Sequence, residues 1–310
     1  MATLTEIKNL VECGAGGVIG TGVKGCRPAL KKVSSIFLLP SGFRLDPDAE
    51  LNEEYFKTLQ MEGNLIVLKG IRAFTDNSEE NVTETLEDGT TNLLRLGLYQ
   101  FNANFINGLH FNKALNALSG FGNYDAIFVD GDGNMLGTEA LGGSMKGFTI
   151  GYMQADKLTW ATDSAGMREG ITFQLLDRSE VDTDFLFIQG TQLDFNPNRL
   201  DGVNEIRTSF ATTPVVGATT LDVKAVTGQD GKPFRGAEAE DFLVQVNGAT
   251  EEGVTVAEVN GVYTFSGVTA LALNDEVTVQ LYDNANNRGV IELDVDLYKS
   301  NVARTVVVSA

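Results

Sequence analysis

VTVAEVNGVYTF, residues 254–265, decides how the second half of this 310-residue chain is read. Apolar and polar residues alternate on both sides of Asn260-Gly261, and an Asn-Gly pair between two such runs is the strongest short signal for a two-residue hairpin. Both residues tolerate the positive φ that the turn requires. The pattern repeats around it: TTLDVKAV, DFLVQVNG, DEVTVQLYD and GVIELDVDLY bring the total to six or seven short strands over residues 211–310. That density of strands describes an immunoglobulin-like β-sandwich, although no Cys…Trp…Cys pattern accompanies it. SFATTPVVGATT, rich in Thr, Gly and Pro, places the boundary with the preceding domain at residue 210.

Residues 46–210 predict a second β-rich domain with one flanking helix. In PDAELNEEYFKTLQMEG, residues 47–63, Pro47 opens a first turn, acidic residues come early, and Leu51, Tyr55, Phe56 and Leu59 fall at helical spacing. NLIVLKGIRAF then reads as a strand or strand pair. TDNSEENVTETLEDGTT reads as a long exposed acidic hairpin turning at Asp88-Gly89, and YDAIFV as a strand. Residues 144–190 supply further long strands. The fold class expected is therefore mainly β: an α+β first domain, built as a barrel or sandwich with a flanking helix, followed by an immunoglobulin-like sandwich.

Residues 1–45 differ in charge from the rest. They carry six basic residues (Lys8, Lys24, Arg27, Lys31, Lys32, Arg44) against Glu6 and Glu12, in a chain of net charge −19. We read them as a flexible basic arm able to reach the acidic body of a neighbouring copy. The overall acidity repels nucleic-acid phosphates and anionic membrane, so specific nucleic-acid binding is not expected. No stretch approaches the roughly 18 consecutive apolar residues of a membrane span, and MATLTEIKNLVE lacks a basic region followed by an apolar core, so neither insertion nor signal-directed secretion is expected.

Sites that carry chemistry are scarce. In VDGDGNMLGTE, residues 129–139, Asp130, Asp132 and Asn134 match the opening of a calcium loop. Met135 stands where the glycine belongs and Leu141 where the closing carboxylate belongs, so a structural turn is the expectation and a metal site the alternative. Asp182 and Asp184 alternate along EVDTDFLF and would share one face of a strand, the geometry of a carboxylate pair. The glycine-rich ECGAGGVIGTGVKGC, residues 12–26, fails both nucleotide-loop templates, with Ile19 at the third glycine and Val23 at the lysine position. Its Cys13 and Cys26 read as idle thiols rather than a bridge. His110, the single histidine, excludes two-histidine chemistry, and it sits in LHFNKALNALSG, a short helix. Trp160 reads as a core or interface anchor. No catalytic residue, cofactor or resident metal is expected.

An acidic β-rich chain with an amino-terminal arm, a long acidic hairpin and an appended sandwich resembles virion structural proteins of tailed bacteriophages, most closely the tail tube type. The resemblance implies a self-assembling ring or tube through which DNA passes. Copies of the chain and other virion proteins are its implied partners, and the virion, assembled in host cytoplasm, its location. The helix of residues 47–61 and the strands in 65–74 and 147–190 would form the subunit core, and the hairpin of residues 75–92 a stacking or lumen-facing loop. Residues 211–310 would be a decoration. A head decoration, collar or fibre-anchoring protein, and a carbohydrate-binding adhesin-like module, are the alternatives.

Overall fold

The structure, a computed structural model, describes residues 3–10, 29–228 and 230–309. It is mainly β and divides into two units, Met1–Asp201 and Gly202–Ala310.

The strands of the first unit are β1 (Val33–Pro40), β2 (Ile66–Lys69), β3 (Ala73–Asp76), β4 (Val82–Thr85), β5 (Thr91–Arg95), β6 (Gln100–Phe105), β7 (Tyr124–Asp130), β8 (Met135–Glu139), β9 (Met145–Lys146), β10 (Phe148–Ala155), β11 (Glu169–Leu175) and β12 (Phe185–Ile188). All but β4 and β5 form one curled ten-stranded sheet with the path β12-β8-β7-β10-β11-β6-β3, and β1 joins it along the length of β7. The β1–β7 pair is the wall between two cores. Ile36, Leu38, Ala126 and Phe128 pack into one, and Phe37, Leu39, Ile127 and Val129 into the other. Alternating side chains point to opposite faces, so a strand buried on both faces is apolar on both, as Ile36, Phe37, Leu38 and Leu39 are. Each fully buried Leu or Phe contributes about 1.5–3 kcal/mol, so this wall stabilises both cores at once.

Among the described residues four α-helices flank the sheet: α1 (Leu4–Leu10), α2 (Glu53–Met61), α3 (Leu109–Leu118) and the single turn α4 (Ser179–Asp182). α2 sends Phe56 and Leu59 into the second core, and α3 sends Leu115 into the first. The expected helix of residues 47–61 starts later than the Pro47 signal suggests. Asn52 is its cap, accepting from the Tyr55 N–H at 2.8 Å, and a cap residue holds extended φ and ψ that stop the helix from running back.

The expectation of a flexible arm over residues 1–45 is corrected in part. Leu4 and Ile7 are buried, and β1 lies in the middle of the sheet. The glycine-rich stretch with Cys13 and Cys26 lies outside the described residues.

The second unit holds β13 (Asn204–Phe210), β14 (Thr220–Thr227), β15 (Phe242–Val246), β16 (Ala249–Thr250), β17 (Thr255–Val259), β18 (Val262–Ser266), β19 (Glu276–Leu281), β20 (Ile291–Leu293), β21 (Asp296–Ser300) and β22 (Ala303–Val306). One sheet runs β17-β18-β14-β13-β21-β20 and the other β16-β15-β19-β22. Phe242 of the second sheet meets Tyr263 and Phe265 of the first with ring centroids 5.0 Å apart, so the two close over one core. In order of succession, β13-β14-β18-β17 opposite β15-β19-β22 is the A-B-E-D against C-F-G arrangement of immunoglobulin-like sandwiches. The β20–β21 hairpin is an insertion, attached by parallel pairing of Asn204–Ile206 with Tyr298–Ser300. GVIELDVDLY is thus two strands rather than one. The unit begins near residue 202 rather than 211, because β13 pairs with β14 and belongs to the sandwich.

Candidate functional site

Among the described residues of the first unit, a β-ribbon has both its strands exposed along their whole length. β3 and β6 pair at the edge of the sheet, and their pairing continues outward through Asn77 N–H to the Gln100 carbonyl (2.8 Å) and Glu79 N–H to the Leu98 carbonyl (3.1 Å). Beyond Asn81 and Gly97 the two strands carry on as β4 and β5, which among the described residues pair only with each other. The tip closes at Asp88-Gly89, as its sequence predicts: Gly89 has φ +83°, and the Asp88 carboxylate accepts from the Thr90 N–H (2.9 Å) and hydroxyl (2.6 Å). Those two hydrogen bonds hold the Asp88 carboxyl below the usual carboxylate range, so the tip stays charged.

The base of the ribbon is fixed. Arg178 donates to Asn81 Oδ1 at 2.9 Å, pairs with Asp182 at 2.6 Å, and lies 5.8 Å from the centre of the Tyr99 ring. Tyr99 stacks on Phe101 with planes 4° apart, and Phe101 stacks on Phe74, which joins the anchor to the first core. Gly97 is required there, since a Cβ would stand 1.9 Å from the Glu79 carbonyl oxygen.

Above the base, every residue of β4 and β5 is exposed. Val82, Leu86, Leu93, Leu94 and Leu96 are 41–60% accessible. A lone two-stranded hairpin is marginally stable in water, and among the described residues its leucines gain little from burial. Leu93 and Leu94 follow one another along β5, so these apolar side chains lie on both faces of the ribbon.

The sites read from the sequence fall elsewhere. Asp130 is fully buried, and its carboxylate is filled by N–H donors: Asp132 N–H and Asn134 N–H on one oxygen (2.9 and 3.0 Å), Lys31 N–H and the Asn134 side-chain amide on the other (3.0 and 2.8 Å). Asp132 pairs with Lys31, and Asn134 Oδ1 accepts from the Gly190 N–H at 2.9 Å. The three side chains bind the turn and its neighbours, and their oxygens do not converge on a common point. Among the described residues no group of three or more His, Cys, Asp or Glu is arranged to hold a metal ion.

Asp182 and Asp184 do not share a strand face. Ser179–Asp182 is a short helical turn, Asp182 bonds to Arg178 and the Tyr99 hydroxyl, and Asp184 accepts from the Thr183 hydroxyl. Trp160 is 66% exposed and so is not a core anchor. His110 sits on the exposed side of α3.

One buried ionic cluster has no sequence signature. Lys146 reaches Glu180 at 2.6 Å, Glu180 also accepts from the Thr149 N–H (2.6 Å) and hydroxyl (2.8 Å), and Asp125 beside them accepts from the Gly42 N–H at 2.9 Å. Its members lie far apart in the chain, and only the sheet assembles them. Burial pushes the Asp125 carboxyl up, against the pull of the Gly42 hydrogen bond and of Lys146. The folded state thus holds this proton more tightly than the unfolded state does. The associated stability is present at low pH and declines as pH rises from the ordinary value of about 3.9 through the raised one. Denaturation of wild type and Asp125→Asn across that interval should show a stability difference that shifts in favour of the variant as pH rises. A difference constant with pH would contradict this assignment.

Comparison of the chain with protein-family models and with curated proteins finds no match. Among the described residues no helix is long and apolar enough to cross a membrane.

Proposed function

We propose that this chain is a structural protein that assembles with copies of itself into rings or a tube, of the kind that conducts DNA through the tails of tailed bacteriophages. The observation that carries this reading is the ribbon of β4 and β5, rigidly anchored at Arg178 and Tyr99 yet exposed on both faces along its apolar residues. An element of that kind is completed by a partner. A net charge of −19 suits a conduit, because an acidic wall gains nothing from counterion release and does not hold the DNA that passes it. The immunoglobulin-like strand order of the second unit favours an outward decoration role for that unit. It also keeps alive a second reading, a decoration or collar component of the phage head.

Replacing Val82–Arg95 by a two-residue Asn-Gly turn tests the ribbon. The shortened protein should keep its β circular dichroism and sediment as a monomer at concentrations where the full chain forms large assemblies. Assemblies of wild-type size from the shortened protein would remove the ribbon from the account.

A further inference from the structure

The ribbon is acidic as well as apolar. Glu80, Glu84, Glu87 and Asp88 have no basic partner among the described residues, and only Glu79 does, pairing with Arg95 at 2.9 Å. At the opposite end of the same hairpin the sign reverses. Arg72 directly precedes β3, and its carbonyl accepts from Lys32 Nζ at 2.6 Å; Lys69 Nζ meets the Arg199 carbonyl at 3.1 Å. Lys31, Lys32, Lys69, Arg72 and Arg199 gather at this end of the β1–β2 pair with three carboxylates: Asp132 on the Lys31 ammonium, Asp130 on the Lys31 N–H, and Asp201 on Lys69. Lys32, Arg72 and Arg199 are exposed, and neither guanidinium meets a carboxylate among the described residues.

Arg72 and Asp88 are joined by sixteen residues of largely extended chain, a reach of up to about 50 Å at ~3.3 Å per residue. The rigid hairpin between them keeps the two charges apart within one molecule. Resting on the self-assembly reading above, we infer that the acidic ribbon of one copy docks on the basic patch Lys32/Arg72/Arg199 of the next. The contact joins two different surfaces, so it is heterologous: it repeats head to tail and continues until a ring closes or a stack forms. Opposite charge fixes which end meets which, and the leucines supply the apolar contact once the ends have met.

A charge exchange tests it, read by sedimentation of the whole chain. Glu84→Lys with Glu87→Lys on the ribbon should raise the concentration needed for assembly by about tenfold or more, because like charges then face one another. Arg72→Glu with Arg199→Glu on the patch should do the same. Combining all four should restore assembly towards the wild-type concentration, and circular dichroism verifies that each variant is folded. Restoration in the combined variant supports the pairing. Either pair of reversals assembling like wild type, or a folded combined variant that stays apart, overturns the pairing while leaving self-assembly intact. Wild type that never associates overturns both.

Discussion

Glu169→Ala is expected to cost about 3 kcal/mol, because hydrogen bonds to a charged group contribute ~1.5–3 kcal/mol and this carboxylate makes two. Glu169 lies on β11, fully buried, and accepts from the Asn107 N–H at 3.0 Å and the Gly108 N–H at 2.9 Å. These donors stand at the start of α3, whose cap residue is Gly108 and has no side chain to offer. The negative charge also opposes the positive end of the helix dipole. Alanine removes the acceptor of both N–H groups and leaves a cavity where the buried carboxylate stood. In a unit of this size the loss corresponds to a fall in melting temperature of roughly 6–12 °C. Thermal unfolding followed by circular dichroism reads it, and Glu169→Gln, which keeps an acceptor, should recover part of the loss. Unchanged melting for Glu169→Ala would mean that α3 is held by its packing alone.

Gly261→Ala should have a comparable effect on the sandwich. Asn260 and Gly261 have φ of +54° and +78° and sit between Val259 and Val262, the two-residue turn that their sequence predicts. Left-handed backbone costs a residue with a Cβ roughly 1–2 kcal/mol. At Gly261 the Cβ would also stand 2.7 Å from Pro233 Cβ and 3.0 Å from the Ala225 carbonyl oxygen. The Gly261 carbonyl accepts from the Ala225 N–H at 2.8 Å, so backing away breaks a bond that ties this turn to β14. Gly248, at φ +80° after Asn247, has nothing within 4 Å of its missing Cβ and is the matched control. Gly261→Ala should therefore destabilise the protein by at least about 1 kcal/mol more than Gly248→Ala, the extra being the cost of overpacking. Equal losses in denaturant titrations would show that Pro233 moves aside freely.

These two positions also show what the sequence makes legible. The Asn260-Gly261 turn and the Asp88-Gly89 tip are local: the residues that form each turn are the ones that announce it. Glu169 is invisible because the helix it caps begins 61 residues away in the chain. Within the stretch read as a basic arm, residues 36–39 give no sign of a central strand, since burial on both faces erases the alternation that marks one. EVDTDFLF misled in the opposite sense. Its alternation suggests a strand throughout, whereas the Asp177 carboxylate accepts from the Ser179 N–H and hydroxyl at 2.8 Å and opens a helical turn that carries Asp182 away from Asp184. β13 escaped notice as part of the sandwich because one of its partners, β21, lies more than ninety residues on. The sequence reads the ribbon as an acidic hairpin, but only the fold shows that its leucines stay exposed among the described residues.

Electron microscopy of the purified full chain over a rising concentration series tests the central claim most directly. The account predicts rings or stacked tubes above a threshold concentration, receding as salt is raised because charge steers the contact. Single, unassociated particles at every concentration and salt would contradict it.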